Sequence, residues 1–231
     1  MTLSADAMKR AAAESAIDFV SPDRAIGVGS GSTVAYFITA LGRHHERPVV
    51  VVATSAQTAM LLERAGIRAV SLSEVDALDV YVDSADEIDS DGRMIKGAGG
   101  AHTAEKIVAS AARMFVCIAD ESKSVETLGV RAPLPLEVIP VAARVVAKRI
   151  AEMGGLAVLR QGVVTDSGNP LLDVTGLDFG DPVALELALD AIPGVIECGL
   201  FARRRADVAL IGMRDGTTRT VKFRAARRSN G

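Results

Sequence analysis

The chain has no tryptophan, two tyrosines, two cysteines and three histidines among 231 residues. Aromatic side chains make up 3% of it, which argues against a platform for stacking nucleic-acid bases. Cys117 and Cys198 lie far apart and form no C-x-x-C pair, and three histidines are too few for a recognisable zinc pattern. Both thiols read as buried and reduced, as in a reducing cytosol. No uncharged apolar run reaches ~18 residues, so no membrane span is expected. The first residues carry Asp6, Lys9, Arg10, Glu14 and Asp18 and do not read as a signal peptide. With a formal net charge of -3 and a pI near 5.7, nothing pulls the chain toward nucleic acid or an anionic membrane. What remains is a globular composition, 49% hydrophobic, whose core must be built from Ala, Val, Leu and Ile. The expectation is a soluble cytoplasmic protein.

The patterning predicts strands alternating with helices over the first half. Met8, Ala12, Ala16 and Phe19 fall at helical spacing after Ser4, a candidate cap. Strands are expected at 24–29, 48–53, 67–72, 77–82 and 114–119. Helices are expected at 34–41, 57–65 (stopped by Gly66) and 103–113. Such alternation implies a mostly parallel, doubly wound sheet. From about residue 133 the order becomes β-α-β-β-α-β, the ferredoxin-like plan. A hairpin at 207–223 is placed to return to the first sheet. The expected fold is therefore α/β: a Rossmann-like, mostly parallel sheet domain (1–132 plus 205–231) with a smaller ferredoxin-like α/β domain inserted at 133–204. Residues 224–231 read as a frayed tail.

Four segments carry candidate chemistry. Gly27-Val-Gly-Ser-Gly-Ser-Thr33 joins a strand to a helix; its glycines admit an anion to backbone N–H groups, and Ser30, Ser32 and Thr33 add hydroxyls around Gly31. The spacing is not that of a dinucleotide loop, and the next strand ends without a ribose-binding acid. Asp83-Ser84-Ala85-Asp86 leaves a strand at its ligand-facing end, where paired carboxylates suit sugar hydroxyls or a metal; a solvated acidic turn is the plainer alternative, and Glu87 and Asp89 are read as only that. Lys96-Gly97-Ala98-Gly99-Gly100 combines a cation with a flexible loop able to hold an anionic intermediate. Glu105, in the first turn of the following helix, serves either the helix dipole or proton transfer. His102 reads as a loop residue, and His44 and His45 carry no assignment. Lys123, after a further strand, meets a phosphate or is a surface lysine. Parallel topology would bring all four strand ends to one edge.

Taken in order, these segments resemble those of the ribose-5-phosphate isomerase family, type A. Further stretches agree, among them Pro135–Pro140, Arg160–Asp166, Ala191–Val195 and Ala206–Gly212. The resemblance implies interconversion of D-ribose 5-phosphate and D-ribulose 5-phosphate in the pentose phosphate pathway, without metal or other cofactor. It assigns proton transfer to Glu105, sugar contacts to Asp83 and Asp86, and charge stabilisation to Lys96. It assigns substrate binding to Ser30–Thr33, Asp83–Asp86, Lys96–Gly99 and Lys123, with Lys9 near the phosphate. It also implies a homodimer or homotetramer. Ser84 and Ala98 stand where the family usually has glycine, which puts the local loop geometry in question. A non-catalytic sugar-phosphate sensor, another sugar-phosphate enzyme and a nicotinamide oxidoreductase are the competing readings. The last is disfavoured by the glycine spacing.

Overall fold

The structure, a computed structural model, describes residues 4–44 and 50–223. Expectations for 48–49, His45 and the tail at 224–231 lie outside the described residues.

Helix α1 (Ala5–Ser15) starts at Ser4, whose hydroxyl accepts the Ala7 N–H at 3.3 Å. Then come β1 (Ala25–Val28), α2 (Ser32–Arg43), β2 (Val50–Ala53), α3 (Ala56–Arg64), β3 (Ala69–Val70) and β4 (Leu78–Asp83). Two short strands, β5 (Glu87–Ile88) and β6 (Met94–Ile95), precede α4 (His102–Ala111) and β7 (Ala112–Asp120). The second half contains β8 (Leu134–Val138), α5 (Ala143–Glu152), β9 (Leu156–Val164), β10 (Pro170–Thr175), α6 (Pro182–Asp190) and β11 (Val195–Cys198). It closes with β12 (Leu200–Phe201), β13 (Val208–Gly212) and β14 (Thr218–Lys222).

A seven-stranded sheet runs β14-β13-β7-β4-β1-β2-β3, parallel except for β14. Its inner strands are buried on both faces and alternate between two cores, while the edge strands β14 and β3 are not fully buried at any position. Ile26, Val28, Val80 and Val82 pack with Phe37 and Leu41 on one face. Tyr81, Phe115 and Val108 pack on the other, the Tyr81 and Phe115 rings 4.8 Å apart. From β1 the chain moves outward to β2 and β3, then crosses back to β4 on the other side. The order thus reverses between β1 and β4, and an α/β sheet opens its ligand crevice there. A four-stranded antiparallel sheet runs β11-β8-β10-β9, the arrangement a β-α-β-β-α-β order produces.

Several expectations are corrected. The strand expected at 67–72 shrinks to Ala69–Val70, because Ser71 and Glu74 form a capping box that starts a short helical turn. Lys96 does not leave a strand of the parallel sheet: β6 belongs to a separate three-stranded antiparallel sheet, β12-β6-β5, too short to show periodicity. His102 opens α4 and is fully buried, not a loop residue. Ser84 and Ala98 are unstrained, since no non-glycine residue among those described has positive φ. Glu87 is not a solvated acid. It is fully buried and accepts the backbone N–H groups of Gly129, Arg131 and Ala132 at 2.6, 2.5 and 2.7 Å.

Glu87→Ala should therefore cost at least ~2 kcal/mol, because it strands several donors at once. Glu87→Gln, which keeps an acceptor, should cost less. Urea denaturation followed by circular dichroism measures both; equal losses would contradict this role.

Candidate functional site

Two loops meet at the reversal between β1 and β4. Gly29, just past β1, donates its N–H to Val82 O at 2.9 Å, drawing the two strand ends together. A Cβ on Gly29 would lie 1.9 Å from the Asp83 carboxyl group, so only glycine fits there. Gly31, with φ of 97°, then turns the chain into the first residue of α2.

Asp83 is fully buried. It accepts the Ser30 N–H at 3.0 Å and the Ser84 N–H at 2.7 Å, together with a short hydrogen bond from the Tyr81 hydroxyl. Tyr81 and Asp83 are two apart on one strand and so share a face. Lys96, 3% exposed, lies 2.7 Å from Asp83 Oδ2 and 3.0 Å from Glu105 Oε2, and donates to Ser84 O at 2.5 Å. The other Glu105 oxygen accepts the Ser30 hydroxyl at 2.5 Å. Asp86 accepts the Ala98 N–H at 2.9 Å and so ties the acidic turn to the glycine loop.

A cavity of about 210 Å³ opens over this cluster. Its wall is formed by Lys9, the Ser30–Thr33 loop, Ser84–Asp86, Lys96–Gly99, Glu105 and Lys123. Every substrate-facing residue expected from the sequence except Asp83 is in that wall. Asp83 lies behind it, paired to Lys96, so burial leaves Asp86 as the aspartate in position to meet a ligand. Lys9, 23 residues before Ser32 in sequence, reaches the Ser32 hydroxyl at 3.2 Å.

Charge shapes the cluster. Burial and the neighbouring Glu105 charge raise the Asp83 carboxyl from 3.8 to about 6, against the pull of Lys96 and Tyr81. Burial alone would lower the Lys96 ammonium, but the charges of Asp83, Glu105 and Asp86 outweigh it and hold the lysine protonated. Burial, then the Asp83 and Glu105 charges, push the Tyr81 hydroxyl well above its usual value.

Residues 50–216 match the family model described as ribose 5-phosphate isomerase A (phosphoriboisomerase A). The structure is similar to ribose 5-phosphate isomerase A from Neisseria gonorrhoeae, at 45% identity and a TM-score of 0.94, over 97% of this chain and 100% of that one. The chain belongs to the ribose 5-phosphate isomerase A family. It is also similar to the family's protein from Methanocaldococcus jannaschii, at 41% identity and a TM-score of 0.89, over 95% of this chain and 100% of that one. A further isomerase, 40% identical with a TM-score of 0.92 over 95% of this chain and 100% of that one, was solved in complex with phospho-erythronic acid.

The sequence assigns no definite role to three side chains near the site. Tyr81 was inside a recognised motif, and strand periodicity alone would have paired it with Asp83. Arg160 donates to Gly97 O and Ala98 O at 3.1 and 2.9 Å while held by Asp173, a long-range contact with no local signal. His102 Nε2 donates to Glu197 O, 3.2 Å away, and its buried ring is held below its usual pKa by desolvation. Among the described residues, Asp190, Glu197 and Cys198 form the one trio with metal-ligand spacing, their ligand atoms lying within 4.8 Å. They are not in the cavity wall. The Lys106 ammonium already stands 2.7 Å from Glu197 and 3.5 Å from the Cys198 sulfur, so the trio's charge is answered by a protein cation. No described helix is long and apolar enough to cross a membrane.

Two outcomes follow from this geometry. Gly29→Ala should displace the Asp83 carboxylate and lower kcat by about 10²-fold or more, the scale of a small misplacement at a catalytic centre; an unchanged kcat would contradict the close approach. In the pH profile, kcat should fall as pH drops through about 6, when Asp83 takes up a proton and Lys96 loses one of its two countercharges. The sign for stability is opposite. Because the folded-state value is raised above 3.8, the folded protein binds this proton more readily than the unfolded chain. Through this group, stability therefore rises between pH 6 and 4. Loss of activity without loss of the circular dichroism signal at pH 5.5 is the expected result.

Proposed function

We propose that the chain interconverts D-ribose 5-phosphate and D-ribulose 5-phosphate by moving one proton between C2 and C1 through an enediolate. Glu105 is the base, and no metal or other cofactor takes part. The observation that carries this reading is the buried Glu105 carboxylate in the cavity wall, one oxygen on Lys96 and the other on Ser30. Isomerising an aldose requires a base that reaches two bonded carbons from one side and a cation or donors for the oxygens that become charged. Glu105 supplies the first, and Lys96 with the Gly97–Gly99 loop supplies the second. Asp83 fixes Lys96, and Asp86 faces the sugar hydroxyls.

The first turn of α2, with Ser32 and Thr33, joins Lys9 and Lys123 as the phosphate end of the cavity, because helix starts leave N–H groups free for an anion. A relative's complex with phospho-erythronic acid supports this reading. That compound carries a phosphate, sugar-like hydroxyls and a planar pair of oxygens, the features of a phosphorylated enediolate. The reaction belongs to the non-oxidative branch of the pentose phosphate pathway, in the cytoplasm. Pairing of β13 with β7 supports a division into 1–132 plus 205–231 and an inserted 133–204 unit. Apolar side chains exposed at Val141, Leu156 and Val164 support a homodimer or homotetramer.

Glu105→Gln should lower kcat by ~10²–10⁴-fold, the range for general acid–base catalysis, with little change in binding. It should also stop solvent deuterium from entering C2 of the aldose. Near-wild-type exchange in this variant would place the base elsewhere. Lys123→Ala should weaken ribose 5-phosphate far more than free ribose, and equal losses would make Lys123 structural. Exhaustive chelation should leave turnover intact; activity lost on chelation and restored by Mg²⁺ or Zn²⁺ would overturn the metal-free reading.

A further inference from the structure

Helix α4 carries Glu105 on the side facing the cavity, and its other first-turn side chains go elsewhere. Successive residues on a helix point about 100° apart, so Glu105 and Lys106 face different walls. Lys106 reaches into the 133–204 segment, 3.1 Å from Glu186 Oε1 on α6 and 2.7 Å from Glu197 Oε1 on β11. Glu186 is itself fixed, its second oxygen accepting the N–H groups of Ala202 and Arg203 at 2.9 and 2.7 Å. Thr103 donates a short hydrogen bond to Glu137 of β8. Glu137 is fully buried, and its other oxygen accepts the Thr165 hydroxyl at 2.8 Å and the Asn169 amide at 2.9 Å. The Phe201 ring lies between the two functions, with Lys96 Nζ 5.5 Å and Lys106 Nζ 5.0 Å from its centre.

None of these groups except Lys96 and Glu105 lines the cavity, so the others do not touch a substrate there. Two buried carboxylates and one partly buried one, from three different elements, converge on a single turn. A buried charge is retained at a cost unless its geometry is specified, and the turn it specifies here is the one that holds the base.

We propose that Lys106, held by Glu186 and Glu197, and Thr103, held by Glu137, are positioning residues that fix the first turn of α4 and thereby the reach of Glu105 to C1 and C2. This rests on the reading of Glu105 as the base. The 133–204 segment then serves catalysis without contributing a group to the reaction: it is the rigid support against which the base is aimed.

The test uses the full-length chain with Lys106→Met, Lys106→Arg, Thr103→Val and Thr103→Ser, and Glu105→Gln as the reference. Turnover is measured with ribose 5-phosphate and with the same sugar deuterated at C2. If the residues position the base, Lys106→Met and Thr103→Val lower kcat by ~10–100-fold, a misplacement-scale loss, with KM nearly unchanged. The deuterium effect on kcat rises, because proton transfer has become slower relative to the other steps. Lys106→Arg and Thr103→Ser, which keep the cation and the hydroxyl, recover most of the loss. A fall in kcat with an unchanged deuterium effect means fewer folded molecules and overturns the proposal, as does wild-type kcat in both disruptive variants. Should Lys106→Met fail to fold because Glu186 and Glu197 lose their partner, Thr103→Val, nearly isosteric with the native residue, decides alone. Wild-type kcat in Glu105→Gln would instead defeat the underlying assignment of the base, which separates the two failures.

Discussion

The site depends on one buried ammonium shared by two carboxylates. Lys96 alone would be costly to bury, and so would Asp83 or Glu105. Together they leave a cluster with one surplus negative charge. Asp83 accepts the most help, from a phenol, two backbone N–H groups and Lys96. Its carboxyl is nevertheless raised to about 6, because burial and the second carboxylate outweigh that help. Glycine at position 29 belongs to the same economy of space: the Asp83 carboxyl occupies the volume a side chain would need.

Topology explains why these groups meet. The sheet's order reverses between β1 and β4, and the loops after both strands meet there. Ser30 comes from the first of those loops, and Asp83 ends β4 where the second begins. Lys96 and Glu105 come from a different source, the short β5–β6 hairpin and the helix after it. That hairpin is joined by β12, which follows directly on β11 of the second sheet. The segment from Lys96 to Lys106 thus runs along the seam between the two sheets. Lys96 N–H bonds to Gly199 O at 2.9 Å, and Arg160 braces the glycine loop from the other end.

How much of this was legible in the sequence varies with the range of the interaction. A run such as Val50–Ala53 specifies a buried strand locally, the β-α-β-β-α-β order of the second half specifies the ferredoxin-like arrangement, and both appear as expected. The hairpin at 87–95 did not register, since two-residue strands have no periodicity to read. Glu87 was misread for a related reason. Its neighbours Asp86 and Asp89 give the segment the look of a solvated turn, and its backbone partners lie more than 40 residues away. The wall of the cavity, Lys9 apart, was legible because each of its segments carries its own chemistry just past a strand end. The groups behind the wall, Tyr81 apart, were not, because Glu137, Arg160 and Glu186 act across the seam and their neighbours in sequence say nothing about it.

The Ser30–Thr33 loop sets a length as well as a surface. Ser30 hydrogen-bonds to the proposed base, and Ser32, two residues on, meets Lys9 at the proposed phosphate end. Two residues span at most ~7 Å of chain, so the distance between the reacting carbons and the phosphate is fixed by covalent geometry and not by flexible side chains. Gly31, forced to positive φ between them, makes the bend that lets both hydroxyls face one cavity. The same loop ends in the start of α2, so the anion site cannot shift without moving a helix packed into the core through Val34, Phe37 and Leu41. Rigidity at the phosphate end and the braces on α4 then have one consequence. Under the proposed function, a sugar phosphate bound at Lys9 and Lys123 would present its first two carbons to a carboxylate held from the opposite side, so that binding at the remote end would be converted into alignment at the reacting one.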